Sequence, residues 1–343
     1  MSAPARTGSK TNLADREDTA RRLLKSSVTT SYDPSIDIDW DAPLVEGKYG
    51  IVPERVSLYG TPLWDGLTEE QRITLSVHEF CSVARIGLWF EMILMQMLLR
   101  YAYDRDPRRA HIQYALVEIA DECRHSMMFA KATERYGVPD YAPRRLTHEQ
   151  GRLMKTIGTG PAMFAGTLYV EEILDQLQRE GMRDERVQPL SRMINKIHVT
   201  EEARHVRYAR EELQRIMPRT NRAERAWARY LTARIAFVVA RNLVHPEVYR
   251  SVGIDPAVGR KAALANPHHQ RPRREGTAVV GERHGLVGPR ISDIAGRRGL
   301  RLPTTRLNRD EPVRQPPFGP NHHTLVHRSR FLTANVLPRR QRL

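Results

Sequence analysis

A five-residue phrase occurs twice in this chain, and it limits the fold more than any other feature. The first copy is Asp121-Glu122-Cys123-Arg124-His125 and the second is Glu201-Glu202-Ala203-Arg204-His205. Both read acidic, Glu, any, Arg, His. Residues three apart on an α-helix share a face, so Glu122 aligns with His125, and Glu202 with His205. One glutamate precedes each copy at an identical interval: Glu91 before Glu122, and Glu171 before Glu202. A half-site of Glu, then Glu-x-x-His, is thus written twice at one spacing. Four helices carrying two such half-sites can hold two metal ions between them.

The flanking residues supply those helices. Thr68 followed by Gln71 is a capping-box start, and the helical pattern continues to about Tyr103. Its centre, Ile86 to Leu99, is apolar almost all round, which predicts a buried helix. A second helix begins near Arg108 and stops at Gly137-Val138-Pro139, a pairing of glycine and proline that ends helices. The roughly 20 residues that follow are long for a loop, which predicts a short helix within them. A third helix opens after Gly160-Pro161 and ends by Gly181. The fourth runs from about Val187 to Met217, before Pro218, and the fifth from the N-cap Asn221 to about Val244. The expected fold is therefore all-α.

Around this body, residues 1–26 read as a polar segment with a short amphipathic helix at 15–26. Residues 27–66 carry Tyr32, Trp40, Tyr49, Tyr59 and Trp64. These are too many large apolar groups for a linker, and they predict an ordered, irregular wrap. The main domain spans 27–266. Residues 267–343 form a basic tail rich in Pro, Gly and Arg. Disorder, a translated frameshift, and an RNA- or metal-binding role are the readings open for it.

The chain's net charge of +15 is a property of that tail, which holds 16 arginines against five acids and contributes +11; the rest of the chain carries only +4. A nucleic-acid partner for the body is disfavoured on that distribution. Two cysteines, Cys81 and Cys123, are too few for a disulfide framework and suit a reducing, cytoplasmic setting. The start of the chain lacks a secretory apolar run. Val83 to Leu99 is interrupted by Arg85 and Glu91 and is marginal as a span, so no membrane association is expected.

Four carboxylates and two imidazoles are oxygen and nitrogen donors that suit iron or manganese. Glu91 lies among Leu88, Leu94, Met95 and Leu98, and Glu171 among Phe164, Leu168, Leu174 and Leu177. A carboxylate on such a face must be paired, protonated or metal-bound; Arg85 is the alternative partner for Glu91, and Glu172 the competitor for the role of Glu171. His198 shares one stripe with Glu202 and His205, which makes it a third candidate imidazole. Asp121 and Glu201, each four residues before a ligand histidine, are placed to accept the second N–H of an imidazole from the opposite half. Arg124 and Arg204 can pair with these acids. Asp175, one turn after Glu171, is expected at the site or its rim.

The doubled [DE]-E-x-R-H phrase with its upstream glutamates resembles the ferritin-like di-iron carboxylate superfamily, a four-helix bundle. Within it, His198 in His-x-x-x-Glu-x-x-His, the text IHVTEEARHVRYAREEL and VEEILDQLQRE are similar to the p-aminobenzoate N-oxygenase (AurF-like) family over about 30–265. The resemblance implies two iron ions, with manganese as the alternative. Glu122 and Glu202 would bridge them, Glu91 and His125 would complete one ion, and Glu171, His198 and His205 the other. It implies dioxygen activation and oxidation of an arylamine to hydroxylamine and nitro products, with electrons from an external reductase, since the chain has no flavin or nicotinamide motif. A homodimer is compatible with this reading. A di-iron oxidase or desaturase-like enzyme on another substrate is the alternative, although an acyl-carrier-protein desaturase lacks the third histidine. A ribonucleotide reductase radical subunit would carry tyrosine where Phe129 stands, and a storage protein would be shorter. A non-enzymatic metal-binding bundle using its basic tail on nucleic acid leaves the buried carboxylates unexplained.

Overall fold

The computed structural model describes residues 15–269. The expectations for residues 1–14 and for most of the tail lie outside them.

Along the described residues the α-helices are α1 (Arg16–Thr29), α2 (Pro34–Asp37), α3 (Pro62–Asp65), α4 (Glu69–Tyr103), α5 (Ala110–Tyr136), α6 (Arg145–Ile157), α7 (Pro161–Gly181), α8 (Pro189–Ile216), α9 (Arg222–Asn242) and α10 (Pro256–Ala265). Among the described residues, the one β-type pairing is an isolated bridge between Tyr49 and Val187. The protein is an all-α, ferritin-like bundle.

The ends are chemically set. Thr68 Oγ1 accepts from the Gln71 amide (3.2 Å) while Gln71 Oε1 accepts from the Thr68 amide (3.0 Å). This is the reciprocal cap the sequence predicts. Asn221 and Glu224 repeat it at α9, with both bonds at 2.9 Å. Gly137 closes α5 at φ 64°, a left-handed conformation that favours glycine. The helix predicted inside the long connection is α6. Gly151 lets it lie flat on α4, since a Cβ there would collide with the Trp89 ring.

Two antiparallel pairs, α4 with α5 and α7 with α8, build the bundle, and α9 packs on α7. Leu94, Leu98, Phe164, Leu168, Ile173 and Leu213 fill its core. By length and composition α4 could cross a membrane; here it is a principal helix of the bundle and turns Glu91 into the interior. The wrap is ordered as expected: Trp40, Tyr49, Leu58 and Trp64 are buried, and the Trp40 indole donates to Pro34 O (2.7 Å). It packs partly against residues 246–252 and α10 through Val248 and Tyr249.

Helix α1 belongs to the body rather than to a separate segment. Ala20 and Leu23 join the main core, and Glu17 Oε2 accepts from the Ala110 amide (2.7 Å) at the start of α5. Arg16 pairs with Glu212, which is fully buried and also meets Arg215 at 3.3 Å. Breaking a buried pair leaves an uncompensated charge. Arg16→Ala should therefore lower stability by about 2 kcal/mol, less than a full buried-pair loss because Arg215 remains. Urea unfolding of the variant against the parent measures it, and an unchanged midpoint would show that α1 is not anchored there.

Candidate metal centre

The four bundle helices bring all seven sequence-identified donors to one place. Glu91 comes from α4, Glu122 and His125 from α5, Glu171 from α7, and His198, Glu202 and His205 from α8; none is more than 3% exposed. Glu122 and Glu202 sit between two imidazoles. His125 Nδ1 is 3.0 Å from Glu122 Oε2 and 3.3 Å from Glu202 Oε1, and His205 Nδ1 is 3.1 Å from Glu122 Oε1 and 3.0 Å from Glu202 Oε1. Glu171, not Glu172, turns inward; Glu172 meets Arg210 at 3.4 Å. Arg85 is engaged by Asp140 (2.7 Å) and does not neutralise Glu91. Asp175 pairs with Arg179 (2.7 Å) and is partly exposed.

His198 falls in the other half from the one the resemblance implies. Its Nε2 lies 3.4 Å from Glu91 Oε1, and its ring is 4.7 Å from that of His125. The reason is helical rise. Seven residues advance an α-helix by about 10.5 Å, so His198 and His205 flank Glu202 from opposite sides. His198 therefore groups with Glu91 and His125, and His205 with the Glu171 half.

The outer carboxylates cross between halves as the spacing predicts. His125 Nε2 donates to Glu201 Oε2 (2.8 Å), and His205 Nε2 to Asp121 Oδ2 (3.2 Å). Each bond fixes a ring with Nδ1 aimed inward. His198 is held the opposite way round: its Nδ1 donates to Gln178 Oε1 (2.8 Å), which leaves Nε2 inward. The Phe129 ring packs against it at 5.0 Å. Arg124 pairs with Asp121, while buried Arg204 reaches Asp121 (3.5 Å) and Glu201 (3.7 Å). The strap after α1 joins this layer, with the Tyr32 amide donating to Glu201 Oε1 (2.9 Å) and Arg204 donating to Thr30 O (2.9 Å).

The electrostatics call for cations. Burial, then the charges of Glu122, Glu171 and Glu202, push the Glu91 carboxyl well up; burial, then Glu202 and Glu122, do the same to Glu171. Burial also raises Glu122, and Glu202 adds to it, but the imidazoles of His205 and His125 outweigh both and hold Glu122 down at about 2. Burial disfavours charge on His125, yet bonds to Glu122, Glu201 and Glu202 raise it well above the usual value, and His205 behaves alike beside Glu202 and Glu122. Burial lowers His198 to about 4. The carboxylates draw on His125 and His205 for the positive charge that a metal would supply. Glu91 Oε2, Glu171 Oε2 and Glu202 Oε2 are buried and receive no hydrogen bond. Unsatisfied carboxylate oxygens converging with three oriented imidazoles fit two hard or borderline divalent ions. Cys123 is exposed, 3.4 Å from Met95 Sδ, and takes no part.

A family model described as "P-aminobenzoate N-oxygenase AurF" matches residues 13–283. The chain belongs to the AurF family. The match is wider at both ends than the 30–265 stretch that carries the sequence resemblance, and it takes in α1 and the first residues of the basic tail. Uncharacterized proteins of Mycobacterium bovis and of two Mycobacterium tuberculosis strains are each 33% identical over 213 residues, covering 60% of this chain and 62% of theirs. The chain thus aligns with less than two thirds of the length of these relatives. AurF-family membership supports a di-iron, oxygenase-like protein.

Sequence reasoning missed two features that lie beside these donors. One is Glu118, buried on α5 one turn before Glu122. The other is a cavity of about 320 Å³ that reaches Glu171 between α4, α6, α7 and α9. Its walls include Trp89, Leu94, Met154, Val170, Leu231 and Ile235, with Gln150, Thr167 and Arg234 as polar groups. A smaller cavity of about 70 Å³ lies on the Gln178 side. Neither could be read from periodicity, since their linings come from helices far apart in sequence.

Proposed function

We propose that this AurF-family protein is a di-iron oxygenase that oxidises the nitrogen of an aromatic amine, using dioxygen and electrons from a separate reductase. The observation that carries the reading is the apolar cavity ending on Glu171. An apolar space of about 150 Å³ is enough for one benzene ring. The cavity of about 320 Å³ therefore admits a substituted aromatic ring, whereas that of about 70 Å³ does not. A ring in the larger space puts its substituent at the carboxylate shared with the metal centre.

Glu91, His125 and His198 would hold one ion, and Glu171 and His205 the other, with Glu122 and Glu202 between them. Bound iron supplies the activation of dioxygen. The chain's own residues prepare the place. Glu201, Asp121 and Gln178 fix the tautomers of His125, His205 and His198, so each imidazole presents a lone pair inward. Trp89, Leu94 and Val170 line the cavity and exclude water from it.

The test is anaerobic iron loading, then reductant, dioxygen and a panel of arylamines, with products read by mass spectrometry. Hydroxylamine or nitro products are expected. Two irons per chain without any N-oxidised product would remove the arylamine reading and leave the metal centre. The cavity has its own prediction. Ile235→Trp fills it from α9 without touching a donor, and should lower kcat/KM for an accepted arylamine by about tenfold or more, a loss of at least ~1.4 kcal/mol of transition-state binding. Iron content should stay at two. An unchanged kcat/KM would place the substrate elsewhere.

A further inference from the structure

The duplication has a constant offset. Eighty residues separate Glu91 from Glu171, Asp121 from Glu201, Glu122 from Glu202 and His125 from His205. The same offset carries His198 back to Glu118. Each lies four residues before a glutamate set between the two halves, one turn earlier on the same helix face. Space repeats what the sequence writes. Donor atoms of His125, His198 and Glu202 lie within 4.8 Å of one another, and so do those of Glu118, Glu122 and His205.

Glu118 is 1% exposed, and its Oε2 receives no hydrogen bond. Nothing in a merely structural role accounts for it. A carboxylate oxygen buried without a hydrogen bond is unfavourable, and a leucine would fill the same space without that penalty. Its position opposite His198 supplies the reason.

We infer that Glu118 is an eighth donor of the metal centre, holding the ion on the His205 side as His198 holds the ion on the His125 side. The inference rests on the di-iron reading above. It makes the two ions chemically unequal. One receives Glu91, His125 and His198 besides the shared carboxylates. The other receives Glu171, His205 and Glu118, one imidazole and two terminal carboxylates, a harder donor set that favours oxygen-loving ions. The half beside the large cavity, where Glu171 lies, is the carboxylate-rich one.

Anaerobic titration of the metal-free protein with Co(II) tests it, reading ions bound per chain and the visible absorption of each. The parent protein should take two ions. Glu118→Gln, equal in shape, should weaken one ion by about tenfold or more and change its absorption while the other is untouched. His198→Gln should weaken the other ion instead. Glu118→His should restore the second ion with a shifted spectrum. If Glu118→Gln does not accumulate as a helical protein, Glu118→His is titrated in its place. A wild-type spectrum and affinity for both ions, in whichever variant is titrated, overturns the inference. Fewer than two ions in the parent protein is a different failure, and sinks the di-iron reading together with it.

Discussion

Glu202→Ala should leave the protein unable to hold its second metal ion and abolish oxygen-dependent turnover. Oε1 of this residue lies within 3.0 Å of His205, 3.3 Å of His125 and 3.8 Å of His198, so it touches every imidazole of the centre. Loss of an outer partner alone weakens a metal by about 10- to 100-fold. Loss of a donor common to both halves should exceed that. Iron per chain after anaerobic loading should fall from two to one or fewer. Glu172→Gln, at a neighbouring carboxylate engaged by Arg210, should keep both ions. Two irons bound to Glu202→Ala would mean that Glu202 does not join the halves.

The second large effect is on stability. Without metal, the folded protein should weaken as pH rises from 7 to 8.5, and the Tm gap to the metal-loaded protein should widen. Glu91, Glu118 and Glu171 have folded-state values raised above the ordinary ~4.3, first by burial. What they contribute is complete below that ordinary value and is lost as pH rises through the folded one. His125 and His205 are raised above the ordinary ~6.5 by their carboxylate neighbours against burial, and follow the same sign. Glu122 at about 2 and Glu202, also held low, contribute stability that is lost only as pH falls through their folded values. His198 at about 4 contributes stability that is lost as pH falls below the ordinary ~6.5. All three are constant over pH 7 to 8.5. Metal displaces the protons that the other groups hold, so its advantage grows with pH. With about 2–4 °C per kcal/mol for a domain of this size, a widening of about 5 °C is expected by differential scanning fluorimetry. A gap that narrows as pH rises would contradict this account of the centre.

Much of this was legible in the sequence because the signals are local. Caps at Thr68 and Asn221 and the stop at Gly137 are decided by groups a few residues apart. The matched interval from each upstream glutamate to its motif selects Glu171 over Glu172 without any tertiary information. The carboxylate-to-imidazole crossings of Asp121 and Glu201 follow from two motifs facing each other. What stayed hidden depends on distance in space. The eighty-residue offset that pairs Glu118 with His198 is written in the sequence, but that Glu118 is buried beside Glu122 and His205 is known only from the packed helices. The half to which His198 belongs follows from the rise of α8, which spacing along one face does not convey. Gln178 is orienting only because α7 lies against α8, and α6 gives no hint of the cavity it roofs.

The strap after α1 has a consequence for assembly in time. The Tyr32 amide bonds Glu201, 169 residues later in the chain, and Thr30 O is held by Arg204. During synthesis at roughly 5–20 residues per second, that partner emerges on the order of ten seconds or more after the strap itself. Until α8 arrives, the strap can meet α5 through Ser31 and Arg124 (3.5 Å) but lacks its bonds to Glu201 and Arg204. Some of the earliest residues of the fold therefore complete their contacts only after the last helix of the metal centre has emerged.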